Sequence, residues 1–138
     1  TEGVFLLSNP HPRAYGSFAR LLAKYVRDEG VIKDQPAILD REKVGLSTMV
    51  FAHVKLTAHG RSKVAEFGET IRQFPEVMEC HLLLGHVDFL LRIVTPDLEA
   101  YERFFFERLS QLPDVQEVTS SIALTEVKYT TELPLDFA

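Results

Sequence analysis

The chain has one cysteine and no tryptophan among its 138 residues. Cys80 alone cannot close an internal disulfide, which suits a reducing cytoplasm. No apolar run approaches the ~18 residues that would cross a bilayer as a helix. Positive charge is not in excess: 15 basic against 20 acidic residues leave a formal net charge of -5, which argues against a uniformly basic nucleic-acid binder. The glycine patterns that cradle phosphates and the Gly-x-Ser-x-Gly elbow of hydrolases are also missing. The chain opens on Thr1, with neither a methionine nor a basic-then-apolar leader. No secretion signal is therefore expected, and the front of the native chain is expected to be missing.

What is present suffices for one ordinary domain, or a small domain with an appendage. At 46% hydrophobic and 25% charged, the composition is globular rather than disordered. A chain of this length buries roughly two-thirds of its unfolded surface, so it needs no disulfide or metal staple. The charge is uneven. Residues 1–33 hold five basic and three acidic residues, a net +2, while the remainder is -7.

Periodicity supplies the elements. Phe18, Leu21, Leu22, Tyr25 and Val26 form an amphipathic stripe that predicts a helix over 17–29, with Gly30 as a left-handed cap. Residues 31–33 and 37–39 fit either a hairpin or an extended linker, and the segment to 46 is a connector. Alternation over 48–56 predicts a strand. Val64, Phe67 and Ile71 predict a helix over 61–73, followed by strands over 77–84 and 87–94. Thr95-Pro96-Asp97 predicts a helix start, with Thr95 as the capping hydroxyl; Leu98, Tyr101, Phe105 and Leu109 carry the helix to 111. A last strand is predicted over 116–128. Phe74-Pro75-Glu76-Val77 and Leu112-Pro113-Asp114-Val115 repeat the same punctuation 38 positions apart. The whole reads βαββαβ, an α+β ferredoxin-like arrangement. Two helices on one sheet face leave the other partly apolar. Together with Phe104 and Phe106, which lie off the helix stripe, that face suggests a dimer.

Chemistry-bearing residues are sparse. His53, His59, His81, His86 and Cys80 lack the spacing of a metal site, and Cys80 reads as a packing residue rather than a nucleophile. Neither a catalytic group nor a cofactor is expected. In Leu84-Gly85-His86-Val87-Asp88-Phe89-Leu90-Leu91 a carboxylate enters an apolar strand just after a glycine turn. It needs donors or a cation. Asp88 and the turn amides could bind a small polar ligand such as an amino-acid ammonium; equally, Asp88 could pair with Arg92 or cap the turn. Arg20, Lys24 and Arg27 form a positive strip that suits DNA phosphates or a solvated helix face.

Several segments in order resemble the leucine-responsive/asparagine-regulator (Lrp/AsnC) family of transcription factors. They are Arg27-Asp28-Glu29-Gly30-Val31-Ile32, Ala37-Ile38-Leu39-Asp40, Val44-Gly45-Leu46, Phe74 to His81, Gly85 to Leu91, Pro96 to Tyr101, Leu112 to Val115, and Glu126-Val127-Lys128-Tyr129. The resemblance implies a DNA-reading winged helix-turn-helix followed by a RAM-type effector domain. That domain pairs into dimers, which assemble further into octamers and bind an amino acid between dimers. It places Gly85, His86 and Asp88 in the ligand loop, and Leu98, Ser121, Ile122 and Ala123 where the effector response is tuned. It implies DNA contact by Arg20, Lys24 and Arg27. On this reading 1–33 is an incomplete or remnant helix-turn-helix segment, 34–46 a linker or hairpin, 47–131 the ferredoxin-like effector and oligomerisation domain, and 132–138 a tail. The family carries two further helices before the recognition helix. Sixteen residues broken by Pro10 and Pro12 cannot supply them, so the head is truncated, joined from abutting fragments, or degenerate.

Partners expected on this basis are DNA, a small amino acid and further copies of the chain, in the cytoplasm and without a membrane. Two other functions compete. One is a stand-alone amino-acid-binding or assembly module without DNA binding. The other is an enzyme similar to the sirohaem decarboxylases, which share this scaffold; analogy of fold does not fix function.

Overall fold

The computed structural model describes residues 30–135, and the helix expected over 17–29, with Arg20, Lys24 and Arg27, lies outside them. Residues 39–125 form one compact unit, outside which 30–38 and 126–135 fall. The element order is β1 (Thr48–Leu56), α1 (Ala58–Arg61), α2 (Val64–Arg72), β2 (Val77–Leu82), β3 (Phe89–Thr95), α3 (Leu98–Glu107), a 3-10 turn (Leu109–Gln111) and β4 (Val115–Ile122). The sheet order is β2-β3-β1-β4. Every pairing is antiparallel, which gives the ferredoxin-like α+β fold.

The strand period of two sorts β1 cleanly. Val50, Ala52, Val54 and Leu56 are buried, and Phe89, Leu91 and Ile93 of β3 lie beside them. Phe67 and Ile71 of α2, Tyr101 and Phe104 of α3, and Leu109 complete this core. Phe67 stacks on Phe89 with ring centroids 4.5 Å apart, and Phe74 meets Phe104 edge-on at 5.5 Å. The other sheet face carries Met49, Phe51 and His53 of β1, Leu90 and Arg92 of β3, and Thr119 and Ser121 of β4.

Several boundaries differ from the sequence expectation for physical reasons. The first helix is two helices, not one over 61–73. Thr57 Oγ1 accepts the Gly60 N–H at 3.0 Å and starts a single turn that ends before Ser62; α2 then begins at Val64. The cap of α3 is Asp97, whose carboxylate accepts the Ala100 N–H at 2.7 Å. Thr95 is buried and donates to the Asp97 carbonyl at 2.8 Å instead. Phe104, expected off the stripe, is in the core, while Phe106 is exposed. β4 ends at Ile122 rather than near 128. The Ala123 N–H still donates to the Met49 carbonyl, but β1, its only partner strand, runs out there. Residues 31–39 form no strand ladder, so the hairpin alternative is not seen there.

Candidate functional site

The β2–β3 turn is built by two strand ends and one carboxylate. The Leu83 N–H donates to the Asp88 carbonyl at 2.8 Å, and the Asp88 N–H donates to the Val54 carbonyl at 2.9 Å. Leu84, Gly85 and His86 project between these anchors and are exposed. The Asp88 side chain turns inward. Its Oδ2 accepts the Leu56 N–H at 2.7 Å, and its Oδ1 lies 3.5 Å from Arg61 Nε. The alternative pairing with Arg92 does not form: Arg92 binds Glu79, while Asp88 engages the Leu56 N–H and Arg61.

Arg61 is held in place by a pinned helical turn. The Thr57 N–H donates to the Asp114 carbonyl at 2.8 Å, which ties the start of α1 to the loop before β4. Asp114 adopts a left-handed conformation, φ 65°. Gly60 packs so closely on it that an added Cβ would lie 2.7 Å from Asp114 Cβ. A cleft of about 100 Å³ lies beside this contact, lined by Gly60, Lys63, Phe67 and Pro113 among others. Sequence reading missed Arg61 and the Leu56 amide. Neither has a local signal: both meet Asp88 only because β1, which leads into α1, pairs with β3.

The remaining candidate residues lie at the other end of the sheet. Leu98 opens α3 and is half-exposed. Ser121 pairs with Phe51 and Ile122 with Val50, whereas Asp88 sits level with Val54 and Leu56. Four to six residues of strand separate the two sets, roughly 13–20 Å. Within one chain, Gly85, His86 and Asp88 therefore lie toward one end of the sheet, and Leu98, Ser121, Ile122 and Ala123 toward the other.

No group of three or more metal-ligating side chains converges among the described residues. Cys80 is exposed at the sheet edge rather than packed in the core. Partial desolvation nonetheless raises its thiol pKa against the weaker pull of Arg72, which disfavours the nucleophilic thiolate. Burial also raises the Tyr101 phenol, which shares a hydrogen bond with Ser120. On the open face the Arg92 hydrogen bond lowers the Glu79 carboxyl, opposed by desolvation and assisted by the charges of Arg92 and His81. No helix among the described residues is long and apolar enough to cross a membrane.

Residues 49–133 match the family model of the Lrp/AsnC ligand binding domain. The DNA-binding transcriptional activator DecR of Escherichia coli strain K12 is 32% identical over 113 residues, covering 82% of this chain and 74% of that protein. The crystal structure of an AsnC family transcriptional regulator from Agrobacterium tumefaciens superposes with a TM-score of 0.83 at 31% identity, covering 99% of this chain and 95% of that one. Transcriptional regulator NMB0573 of Neisseria meningitidis, solved as an L-Met complex, gives a TM-score of 0.80 at 31% identity, covering 88% and 78%.

Proposed function

Because the chain belongs to the Lrp/AsnC family, whose members are transcriptional regulators and not enzymes, we propose that it senses a small amino acid and couples that binding to assembly and DNA affinity. One observation carries the reading. The two clusters, Gly85, His86 and Asp88 on one side and Leu98, Ser121, Ile122 and Ala123 on the other, lie at opposite ends of the sheet. They form one site only if a second copy brings its far end to this copy's turn. An effector that binds between copies shifts assembly by mass action, with no change inside either fold.

The L-Met complex of the Neisseria meningitidis regulator supports the amino-acid class of the ligand. The half-apolar open face, with Phe51 and Leu90 beside the Arg92–Glu79 pair, supports pairing of two copies. Arg20, Lys24 and Arg27 are assigned to DNA phosphates, in a head segment spanning 1–33; 34–46 is assigned as linker, 47–131 as the effector and oligomerisation domain, and 132–138 as tail. A cytoplasmic location follows from this role.

Two measurements test the proposal. In a thermal-shift screen of the twenty amino acids, at least one raises the melting temperature; a ligand specific to the native state adds about 2.7 kcal/mol at a hundredfold excess over Kd. No shift with any of them defeats the sensor reading. In DNA binding by anisotropy, affinity falls steeply with salt, and each of Arg20→Ala, Lys24→Ala and Arg27→Ala lowers the log-log slope by about one. Salt-independent binding, or none, leaves an amino-acid-binding assembly module without a DNA role.

A further inference from the structure

The Asp88 carboxylate has two neighbours inside its own fold. Oδ2 is engaged by the Leu56 N–H, and Oδ1 faces Arg61; the side chain is only 20% exposed. It is therefore poorly placed to be the main contact of an incoming ammonium group. Arg61 is in the opposite position. Its side chain is 52% exposed and its Nε makes an ion contact at 3.5 Å, longer than a good hydrogen bond. Neither Nη nitrogen donates to any described acceptor. A guanidinium carries five N–H donors in a rigid fork that matches a carboxylate.

The surroundings favour an anion too. The N–H groups of Leu84, Gly85, His86 and Val87 donate to no described acceptor. His59 on the same helical turn, and Lys63 just after it at the start of α2, add basic groups near Arg61 in the chain. Asp88 is the only acid in contact with Arg61 among the described residues.

We propose that Arg61 recognises the carboxylate of the effector, and that Asp88 is a positioning residue that orients the guanidinium toward the β2–β3 turn. The assignment rests on the effector-site reading above. It moves the charge-recognising role from the acid of the turn to a base on a neighbouring helix. An α-carboxylate and a side-chain carboxylate present the same chemistry, and the test separates them.

The test is calorimetric titration of the purified full chain with each of the twenty amino acids, then with the α-amide of the tightest binder. Wild type loses at least about tenfold in affinity for the α-amide, about 1.4 kcal/mol. Arg61→Gln loses a similar factor for the free acid and little more for the amide, and Arg61→Lys restores part of the loss. If the tightest binder is acidic and its side-chain amide, not its α-amide, abolishes the dependence on Arg61, the side-chain carboxylate is the group recognised. The assignment is overturned if Arg61→Gln binds the acid within twofold of wild type. It is also overturned if the variant weakens acid and amides by equal factors, since that describes a turn merely loosened. If wild type binds none of the twenty, the effector-site reading falls first and takes the assignment with it. Unchanged melting of the ligand-free variant confirms that it folds, as expected for a half-exposed side chain.

Discussion

The Asp88 carboxylate accepts the Leu56 N–H at 2.7 Å while facing Arg61 at 3.5 Å, so one side chain fastens the turn after β2 to both β1 and α1. Leu56 is almost fully buried. Its amide has no other acceptor if this carboxylate is removed. Asp88→Ala is expected to lower stability by about 1–3 kcal/mol, the range for a buried donor left unpaired. Asp88→Asn keeps an acceptor oxygen and recovers most of that loss. Urea unfolding of both variants at neutral pH decides the matter. Equal losses in the two would assign the effect to the Arg61 ion contact instead.

Gly60 gives a prediction of unusual sign. Replacing a helical glycine by alanine ordinarily gains up to about 1 kcal/mol. Here the new Cβ would lie 2.7 Å from Asp114 Cβ and 2.9 Å from the Asp114 carbonyl oxygen. That oxygen also holds the Thr57 N–H. Gly60→Ala is therefore expected to destabilise the domain by about 1–3 kcal/mol, as overpacking does. A melting temperature at or above that of wild type would show that the α1–Asp114 contact is loose.

Low pH weakens the open sheet face. The Arg92 guanidinium holds the Glu79 carboxyl below its ordinary range in the fold. A group depressed in this way contributes stability above its unfolded pKa, about 4.3 for a glutamate. The contribution disappears as pH falls through the lower, folded value. Between pH 5 and pH 3, Glu79→Gln should thus show a shallower loss of stability than wild type. The difference should shrink in high salt, because Glu79 is substantially exposed. Parallel pH profiles would remove Glu79 from the account of acid sensitivity.

The start of α3 separates two neighbouring candidates for one cap. Asp97 accepts the Ala100 N–H, whereas Thr95 is buried and donates away from the helix. Asp97→Ala is expected to cost about 1 kcal/mol through loss of the cap. Asp97→Asn and Asp97→Ser should restore most of it. If neither substitution recovers stability by thermal or urea unfolding, the carboxylate acts through its charge at the helix terminus rather than as a cap.

Much of the fold was legible because burial leaves a periodic trace. The alternation of Val50, Ala52, Val54 and Leu56 and the Val64, Phe67, Ile71 spacing each reappear as buried positions or positions packed on the core. The repeated Pro-acid-Val punctuation marks both helix-to-strand passages. The three consecutive phenylalanines were harder. Phe104 and Phe105 compete for the inward direction, and period alone cannot say that Phe104 wins by meeting Phe74. The strand end at Ile122 was illegible for a similar reason. The residues beyond it are as β-prone as those before, but pairing requires a partner, and β1 has ended.

The sequence by itself determined the class of fold, the family and the placement of a glycine turn before Asp88, because these are matters of local pattern and spacing. Only the tertiary structure decided what Asp88 does. Its partners, Leu56 and Arg61, lie 32 and 27 positions away in the chain. A side chain's partner is chosen by which strands lie together and in what register. In the same way, the pairing of β1 with β4 sets Ser121 and Ile122 level with Phe51 and Val50, away from the turn that carries Asp88.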